Sequence, residues 1–240
     1  MFEHFWECKE NLTGGYGFDF FTTGHFIELG IAVAFTVIMT IIYHKKDEVG
    51  RKKIRKWFVI GLLADEAFKH TILLITDAWD PTYLPLHLCS INIFLITYHY
   101  FTNNKVVGNF LWAFCLPGAI AALLFSTWHN LPYTSFMHIH SYTVHVLLAA
   151  YPVVVTLNKD VIRDYRLIPK LFLILLIICI PAFIANKVFD GCNFMFLEKA
   201  AEGSPLVFFQ NKFGSHLYGF LVLVPLVIGI MYIPYKKVAQ

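Results

Sequence analysis

Seven apolar segments recur along this chain, each near the roughly 20 residues that an α-helix needs to cross a bilayer. They cover residues 22–43, 57–77, 84–101, 106–127, 137–156, 168–187 and 214–235. The third segment is the shortest and the most polar. We therefore predict an all-α fold, a polytopic membrane bundle of about seven transmembrane helices that forms a single domain over residues 1–240.

The composition is wrong for a soluble domain of this length. Hydrophobic residues make up 58% of the chain and charged residues only 15%, and the mean hydropathy is +0.61. A soluble fold of 240 residues cannot bury that much apolar surface, whereas a bilayer covers it. The net charge of +3 is small, and no basic patch is interleaved with aromatic residues, so we expect no nucleic-acid partner.

The basic residues between the segments are unevenly distributed, and this predicts the orientation. With seven spans, one side of the membrane receives the basic residues of 45–56, Lys105, the basic residues of 157–170, Lys236 and Lys237. The opposite side receives only Lys9, Lys187, Lys199 and Lys212. Cytoplasmic loops are enriched in Lys and Arg, so we predict that the N-terminus is outside and the C-terminus is cytoplasmic.

Ionisable side chains inside the predicted spans mark candidate functional positions, because they are costly in hydrocarbon. On the second span, Asp65 and Lys69 share a helix face with Glu66 and His70, a set that also fits a neutralised structural pair. Several titratable groups reach roughly the same level, about 10–15 Å below the outer surface. These groups are His25, His70, Cys89, His145 and His216. Their common depth predicts a polar cavity in the outer half of the bilayer.

Two further spans contribute to this level. We place Pro85 in the first turn of the third span, with Cys89 just beyond it. Cys89 and Asn92 then share a face, while His87 projects to the other side, and a small Cys also suits close helix packing. On the fifth span, one stripe contains His138, Ser141, Tyr142 and His145, whereas His140 points away from it.

The sequence resembles a known family in several places. Residues 84–90, Leu-Pro-Leu-His-Leu-Cys-Ser, resemble the LPLHLC signature of the YwaF-like integral membrane proteins. Residues 23–26 are similar to that family's opening aromatic-and-His motif, and residues 138–145 to its fifth-span histidine motif. The stretch 191–197, followed by Ser204 and Pro205, is similar to its GxNYMFL…SP element, with Phe194 where the family often has Tyr.

The resemblance implies a function. Animal relatives of the YwaF-like proteins include an ether-phospholipid acyltransferase that works through a cysteine acyl-enzyme. The resemblance implies that Cys89 is the catalytic nucleophile and that His145 is the general base. It also implies that the partners are membrane lipids, which serve as fatty-acyl donor and acceptor. We expect no cofactor and a multi-pass location in the plasma membrane of a bacterium. The expected supporting residues are His138, His87, Asn92, Ser141, His70, Glu66, His25, His216 and Asn193.

Two other functions remain open from the sequence. One is a zinc-dependent seven-helix lipid hydrolase, whose ligands would come from His70, His138, His145 and His216. His216 stands alone on the last span, however, where such hydrolases have a His-x-x-x-His pair. The other is a small-ligand transporter or receptor that uses Asp65, Lys69 and His70, although no inverted repeat supports a transporter.

Overall fold

The computed structural model describes residues 4–6 and 17–233. Within this part of the chain the secondary structure is helical and contains no strand, which confirms the all-α prediction. The longer helices are α1 (Thr23–His44), α2 (Glu48–Ile75), α3 (Leu88–Thr102), α4 (Lys105–Leu124), α5 (Phe136–Leu157), α6 (Ile168–Val188), α7 (Pro205–Phe213) and α8 (Leu217–Tyr232). Short 3₁₀ turns lie at Pro81–Tyr83, Tyr165–Leu167 and Phe194–Phe196.

Four stretches of the described chain are long and apolar enough to cross a membrane. They are α1, α4, α5 and the segment Tyr165–Val188, which contains α6. Helix α2 carries many charges, while α3 has 15 residues and α8 has 16, so these three fall outside that group. The structure thus indicates a multi-pass helical membrane protein, and the count of seven spans and their orientation stay predictions.

Helices α4 and α5 lie at the centre of the bundle. Helix α5 packs against α1, α2, α3 and α4. In the apolar stretches of α4 and α5, 61% of the residues are buried, against 11% in those of α1 and α6. The buried side chains of Phe110, Leu148 and Tyr151 belong to this central core. Helices α1 and α6 consequently expose apolar faces that a bilayer would cover.

A cysteine compensates for a proline at the contact of α4 and α5. Pro152 lies inside α5 and has no N–H, so the carbonyl of Leu148, four residues earlier, lacks its usual helical donor. The buried Cys115 thiol donates to that carbonyl at 3.4 Å. Cys115 ends a π-helical turn of α4, Leu111–Cys115, which presents its side chain to α5. The thiol therefore has a structural partner in the core.

Helix α3 begins later than the sequence predicted. Pro85 precedes the helix instead of occupying its first turn, and the residue before it, Leu84, is extended, with φ −54° and ψ 142°. The chain stays irregular until His87, which is the N-cap residue, and α3 starts at Leu88. This correction places Cys89 in the first turn of α3, where the sequence prediction had placed it beyond that turn.

The two ends of the bundle differ in the polar residues that they carry. At one end Arg51 contacts Asp160, Arg55 donates to Asn103, and Lys105 contacts Asp164, at 2.9, 2.8 and 2.9 Å respectively. The opposite end carries the start of α1, the start of α3 and the loop after α4. We call these the basic end and the histidine end. Lys9, Lys236 and Lys237 lie outside the described residues.

The contact of Lys105 with Asp164 predicts a pH-dependent contribution to stability. The hydrogen bond from Lys105 lowers the pKa of Asp164, so the folded state holds this proton less tightly than the unfolded state. The contribution is therefore complete above the unfolded pKa and is lost as the pH falls through the lower folded pKa. We expect Asp164→Asn to reduce the free energy of unfolding by about 0.5 kcal/mol near pH 7, since Lys105 is largely exposed.

The measurement is unfolding in mild detergent for wild type and variant at pH 7 and pH 3. The difference between the two proteins should be smaller at pH 3, because protonation of Asp164 increases as the pH falls toward its lowered folded pKa, and a protonated Asp164 no longer attracts Lys105. Lys105→Gln is the matched control, and the double variant should add nothing to either single one. Additive losses would show that the two side chains do not act as a pair.

Candidate functional site

The predicted nucleophile lies near the histidine end of the bundle. Cys89 is the second residue of α3, is partly exposed and carries a free thiol. His87, two residues before Cys89 and the N-cap of α3, accepts a hydrogen bond at Nδ1 from the Met195 backbone N–H at 3.3 Å. The rings of Phe194 and Phe196 lie 5.2 and 5.7 Å from the His87 ring. The 3₁₀ turn at Phe194–Phe196 is thereby held beside the start of α3.

The predicted base, His145, has a defined tautomer. Its Nδ1 lies 2.6 Å from the backbone carbonyl of Ser141, and because a carbonyl only accepts, Nδ1 carries the proton. The ring stacks on Trp128, with centroids 4.9 Å apart and planes 24° apart. Among the described residues no hydrogen bond reaches Nε2 of His145. The lone pair of that nitrogen is available to accept a proton.

Cys89 and His145 lie on two helices, α3 and α5, that pack against each other. Among the described residues no hydrogen bond joins them. Lys69 is within electrostatic range of both Cys89 and His87, and His87 is within electrostatic range of His145. Helices α2, α3 and α5, which carry these residues, pack against one another. The structure therefore places the candidate nucleophile and base on packed helices, with Lys69 and His87 between the two sets of contacts.

A charged cluster lies between α2 and α5. Lys69 Nζ is 2.7 Å and His70 Nε2 is 3.3 Å from Glu66 Oε1. The indole N–H of Trp79 donates to His70 Nδ1 at 3.3 Å, so Nε2 of His70 carries the proton that points to Glu66. Beside them, His140 Nδ1 lies 2.6 Å from Asp65 Oδ2. Glu66, Lys69 and His140 are all buried, and the cluster balances opposite charges inside the bundle.

His140 is the residue that the sequence analysis set aside. It points away from the predicted stripe of α5, but it points toward α2 and its acidic pair. Two residues of the stripe face α1, where His138 Nε2 contacts Glu28 at 2.6 Å and the Tyr142 hydroxyl donates to the Glu28 carbonyl at 2.8 Å. A helical wheel shows which residues share a face, but not which neighbouring helix each face meets.

Two predicted supporting residues hold backbone at the histidine end. His25 accepts from the Phe21 N–H at Nδ1 and donates from Nε2 to the Leu123 carbonyl, at 3.0 and 2.8 Å, which ties α1 to α4. His216 donates to the Phe196 carbonyl at 2.8 Å. Both rings are committed to carbonyl groups of neighbouring segments, and their roles in chemistry stay predictions.

Two predicted supporting amides have different surroundings. The Asn193 amide accepts from the N–H groups of Glu198 and Lys199, so it organises the loop before α7. Asn92, by contrast, is only 2% exposed, and its Oδ1 has no hydrogen-bond partner among the described residues. Asn92 lies one turn after Cys89 on α3. A buried amide beside a candidate nucleophile is a candidate binding group.

The four histidines considered as zinc ligands have separate partners. These partners are Glu66 and Trp79 for His70, Glu28 for His138, the Ser141 carbonyl for His145 and the Phe196 carbonyl for His216. Across residues 4–6 and 17–233, no group of three or more His, Cys, Asp or Glu side chains is placed to hold a metal ion.

Comparison with known proteins identifies the family. A family model described as the TMEM164 family matches residues 20–235, which run from the start of α1 to beyond the end of α8. The chain belongs to the TMEM164 family. No curated protein and no solved structure matches it. The TMEM164 family is a family of transmembrane proteins, and the chain contains several long apolar helices. It is therefore an integral, multi-pass membrane protein.

All the predicted site residues fall inside the TMEM164 match. The match does not confirm the YwaF-like resemblance, and it names no reaction. It agrees with the more general part of that resemblance, which is a multi-pass helical membrane protein. The chemistry of Cys89 and His145 in this TMEM164-family chain is therefore argued as a proposal.

The buried pair of Glu66 and Lys69 predicts a large effect on stability. Glu66→Gln keeps the shape but leaves the Lys69 ammonium buried without a carboxylate, and we expect the free energy of unfolding to fall by about 3 kcal/mol. Glu48→Gln, the same change at an exposed position of α2, should cost about 0.5 kcal/mol or less. Unfolding in mild detergent measures both, and equal losses would contradict a special role for the buried pair.

Proposed function

We propose that this protein transfers or hydrolyses the acyl groups of membrane lipids through a thioester on Cys89, with His145 as the general base. The observation that carries the proposal is the tautomer of His145. Its Nδ1–H is held by the Ser141 carbonyl, and its Nε2 lone pair has no partner among the described residues. His145 lies on α5, which packs against α3, the helix that carries the Cys89 thiol. A nucleophile and an oriented base are the minimum for covalent acyl transfer.

The first half of the reaction acylates the enzyme. His145 Nε2 takes the proton of the Cys89 thiol, and the sulfur attacks the ester carbonyl of a lipid, forming an S–C bond and an oxyanion. The oxyanion collapses, the bond between the acyl carbon and the ester oxygen breaks, and the His145 imidazolium protonates the departing alcohol. Small movements must first bring the two side chains together, as is common where no substrate is bound.

The second half returns the thiol. An acceptor alcohol, or water in the case of hydrolysis, gives its proton to His145 Nε2 and attacks the thioester carbonyl. The C–S bond then breaks, and the sulfur recovers a proton from the imidazolium. Transfer and hydrolysis differ only in which hydroxyl reaches the thioester.

Nearby groups fit the remaining requirements. An oxyanion needs hydrogen-bond donors, and the Asn92 amide, one turn beyond Cys89, is the best placed side chain. The Ser141 hydroxyl and backbone N–H groups at the start of α3 are further donors. His87, on the other side of Cys89, is held in a fixed orientation by the Met195 N–H. His70 and Glu66 lie behind these groups, in the cluster between α2 and α5.

The membrane arrangement is part of the proposal. We infer that α2, α3 and α8 also cross the bilayer, giving seven spans with the basic end in the cytoplasm of a bacterial cell. The contacts of Arg51 with Asp160, of Arg55 with Asn103 and of Lys105 with Asp164 support it, since they gather the loops expected on one side. The histidine end then faces outward, and Cys89 meets lipid esters in the outer half of the membrane.

The test is to find the acyl-enzyme. The wild-type protein is purified in mild detergent, incubated briefly with a diacyl phospholipid, quenched with acid, and its intact mass is measured before and after hydroxylamine, which cleaves thioesters. We expect a mass increment of one fatty-acyl group that hydroxylamine removes and that peptide mapping places on Cys89. An increment on another residue, or one that resists hydroxylamine, would refute the Cys89 thioester.

A further inference from the structure

A second polar region lies at the basic end, far along α3 from Cys89. Two adjoining clefts of about 530 and 270 Å³ open there. They share Asn103 and Asp160, so they form one continuous depression, which we call the basic-end cleft. The residues of its wall that matter for binding are Lys46, Arg51, Arg55, Asn103, Lys105 and Asp160. The proposed acyl chemistry uses none of these residues.

The guanidinium of Arg55 is only partly neutralised within this cleft. Arg55 is 8% exposed, and its Nη1 donates to the neutral Asn103 amide oxygen at 2.8 Å. The nearest carboxylate oxygen of Asp160 is 3.8 Å away, and the buried Nε has no hydrogen-bond partner among the described residues. A buried cation whose contacts are mostly neutral favours a further anion beside it.

Asp160 cannot fully balance the cations that surround it. Its carboxylate already accepts hydrogen bonds from the Tyr43 hydroxyl and from Arg51 Nη1, the latter at 2.9 Å. One carboxylate therefore serves two guanidinium groups. Lys46, also in the wall, has no carboxylate within ion-pair distance in the described part of the chain.

The remaining acidic groups do not remove this excess. The Asp47 carboxylate accepts the Gly50 N–H as the N-cap of α2, and Glu48 is exposed at the rim. Residues 45–56 carry seven basic side chains and only these two acidic ones. The wall of the cleft thus combines two guanidinium groups, two ammonium groups, of which that of Lys105 is paired with Asp164, and a positive surrounding potential.

We propose that the basic-end cleft binds a phosphate group, held by Arg51, Arg55 and Lys46. A guanidinium presents paired N–H donors whose spacing matches two phosphate oxygens, and an incoming phosphate would supply the charge that Asp160 alone does not. The phosphate can belong to the headgroup of a lipid in the adjacent leaflet or to a soluble phosphate ester. This site is separate from Cys89 and does not depend on the proposed acyl chemistry.

The test measures binding to the full-length protein in neutral detergent by native mass spectrometry and thermal stabilisation. The probes are dioleoyl phosphatidic acid, dioleoylglycerol, which lacks the phosphate, and glycerol 3-phosphate. Stronger binding of phosphatidic acid than of dioleoylglycerol would support a lipid phosphate. Binding of glycerol 3-phosphate as strong as that of phosphatidic acid would support a soluble one. The absence of any phosphate-dependent binding would overturn the proposal.

Two matched variants locate the site. We expect Arg51→Gln to weaken phosphatidic acid binding at least tenfold, because it removes a charge-assisted contact inside the cleft. Lys53→Gln removes the same charge from an exposed position of α2 that does not line the cleft, and it should change binding less than twofold. Equal weakening by both variants would show diffuse attraction to the basic loop and would overturn the proposal.

Two further variants serve as controls. One replaces Arg51→Gln if that variant does not fold, and the other separates phosphate binding from the proposed acyl chemistry. If Arg51→Gln fails to fold, Lys46→Gln takes its place, since Lys46 is exposed and holds no ion pair among the described residues. It should weaken binding about threefold or more, and unchanged binding would count against the site. Cys89→Ala should bind phosphate as the wild type does, so the two proposals can fail independently.

Discussion

Cys89→Ala is expected to lower the rate of acyl transfer at least about 10³-fold and to abolish the hydroxylamine-sensitive mass increment. The alanine side chain has no atom that can form a bond to the acyl carbon, so the covalent route is closed. The overall fold should persist, because Cys89 is a partly exposed residue at the edge of the core and its thiol is in no disulfide. Single-turnover transfer from a radiolabelled diacyl phospholipid measures the loss.

The matched control for this prediction is Cys179→Ala. Cys179 is also partly exposed, lies on α6 and contacts the Met195 sulfur at 3.6 Å, so the same substitution removes a thiol elsewhere. It should leave the rate within about twofold of the wild type. Cys115 is a poor control, since its thiol donates to the Leu148 carbonyl. Transfer that survives in Cys89→Ala at the wild-type rate would refute the proposed nucleophile.

The second large effect is expected at the proposed general base: His145→Asn should slow acylation of the enzyme about 10³-fold. Asparagine keeps an N–H donor that can reach the Ser141 carbonyl, but it cannot take the thiol proton at neutral pH. The measurement is the rate at which the acyl-enzyme appears, by acid quench and intact mass. Added imidazole should restore part of the rate in this variant, as expected when a missing base is supplied from solution.

His138→Asn separates a base from a structural histidine in the same stripe. It removes the contact with Glu28 and should lower the free energy of unfolding by about 1–3 kcal/mol while slowing acylation much less. Imidazole should not rescue whatever rate it loses. If His138→Asn proved to be the slower, imidazole-sensitive variant, the role of base would move from His145 to His138.

The apolar pattern was enough to predict the helical class of the fold, because bilayer thickness fixes the length of an apolar span. It also located five of the helices closely, for example 168–187 against Ile168–Val188. It failed where proline chemistry decides a boundary, as at Pro85 before α3. It also missed α7, which starts at Pro205 in a loop, since nine residues of mixed polarity show no clear period.

The site was harder to predict than the fold. Spacing placed His138, Ser141 and His145 on one stripe, but only the packing of helices shows that His138 meets α1 and His140 meets α2. The tautomer of His145 depends on a carbonyl one turn earlier on α5 and has no signature in the sequence. The basic-end cleft likewise joins Arg55 to Asn103 and Asp160, residues from distant parts of the chain.

The contact of Cys115 with the Leu148 carbonyl should constrain how positions 115 and 152 vary in evolution. The thiol is needed there because Pro152 provides no N–H, so a substitution at position 152 that restored the donor would relax the requirement at position 115. Loss of the thiol while Pro152 remained would leave a carbonyl without a donor in the core. Residues 115 and 152 are therefore expected to covary among related sequences, although 37 positions separate them in the chain.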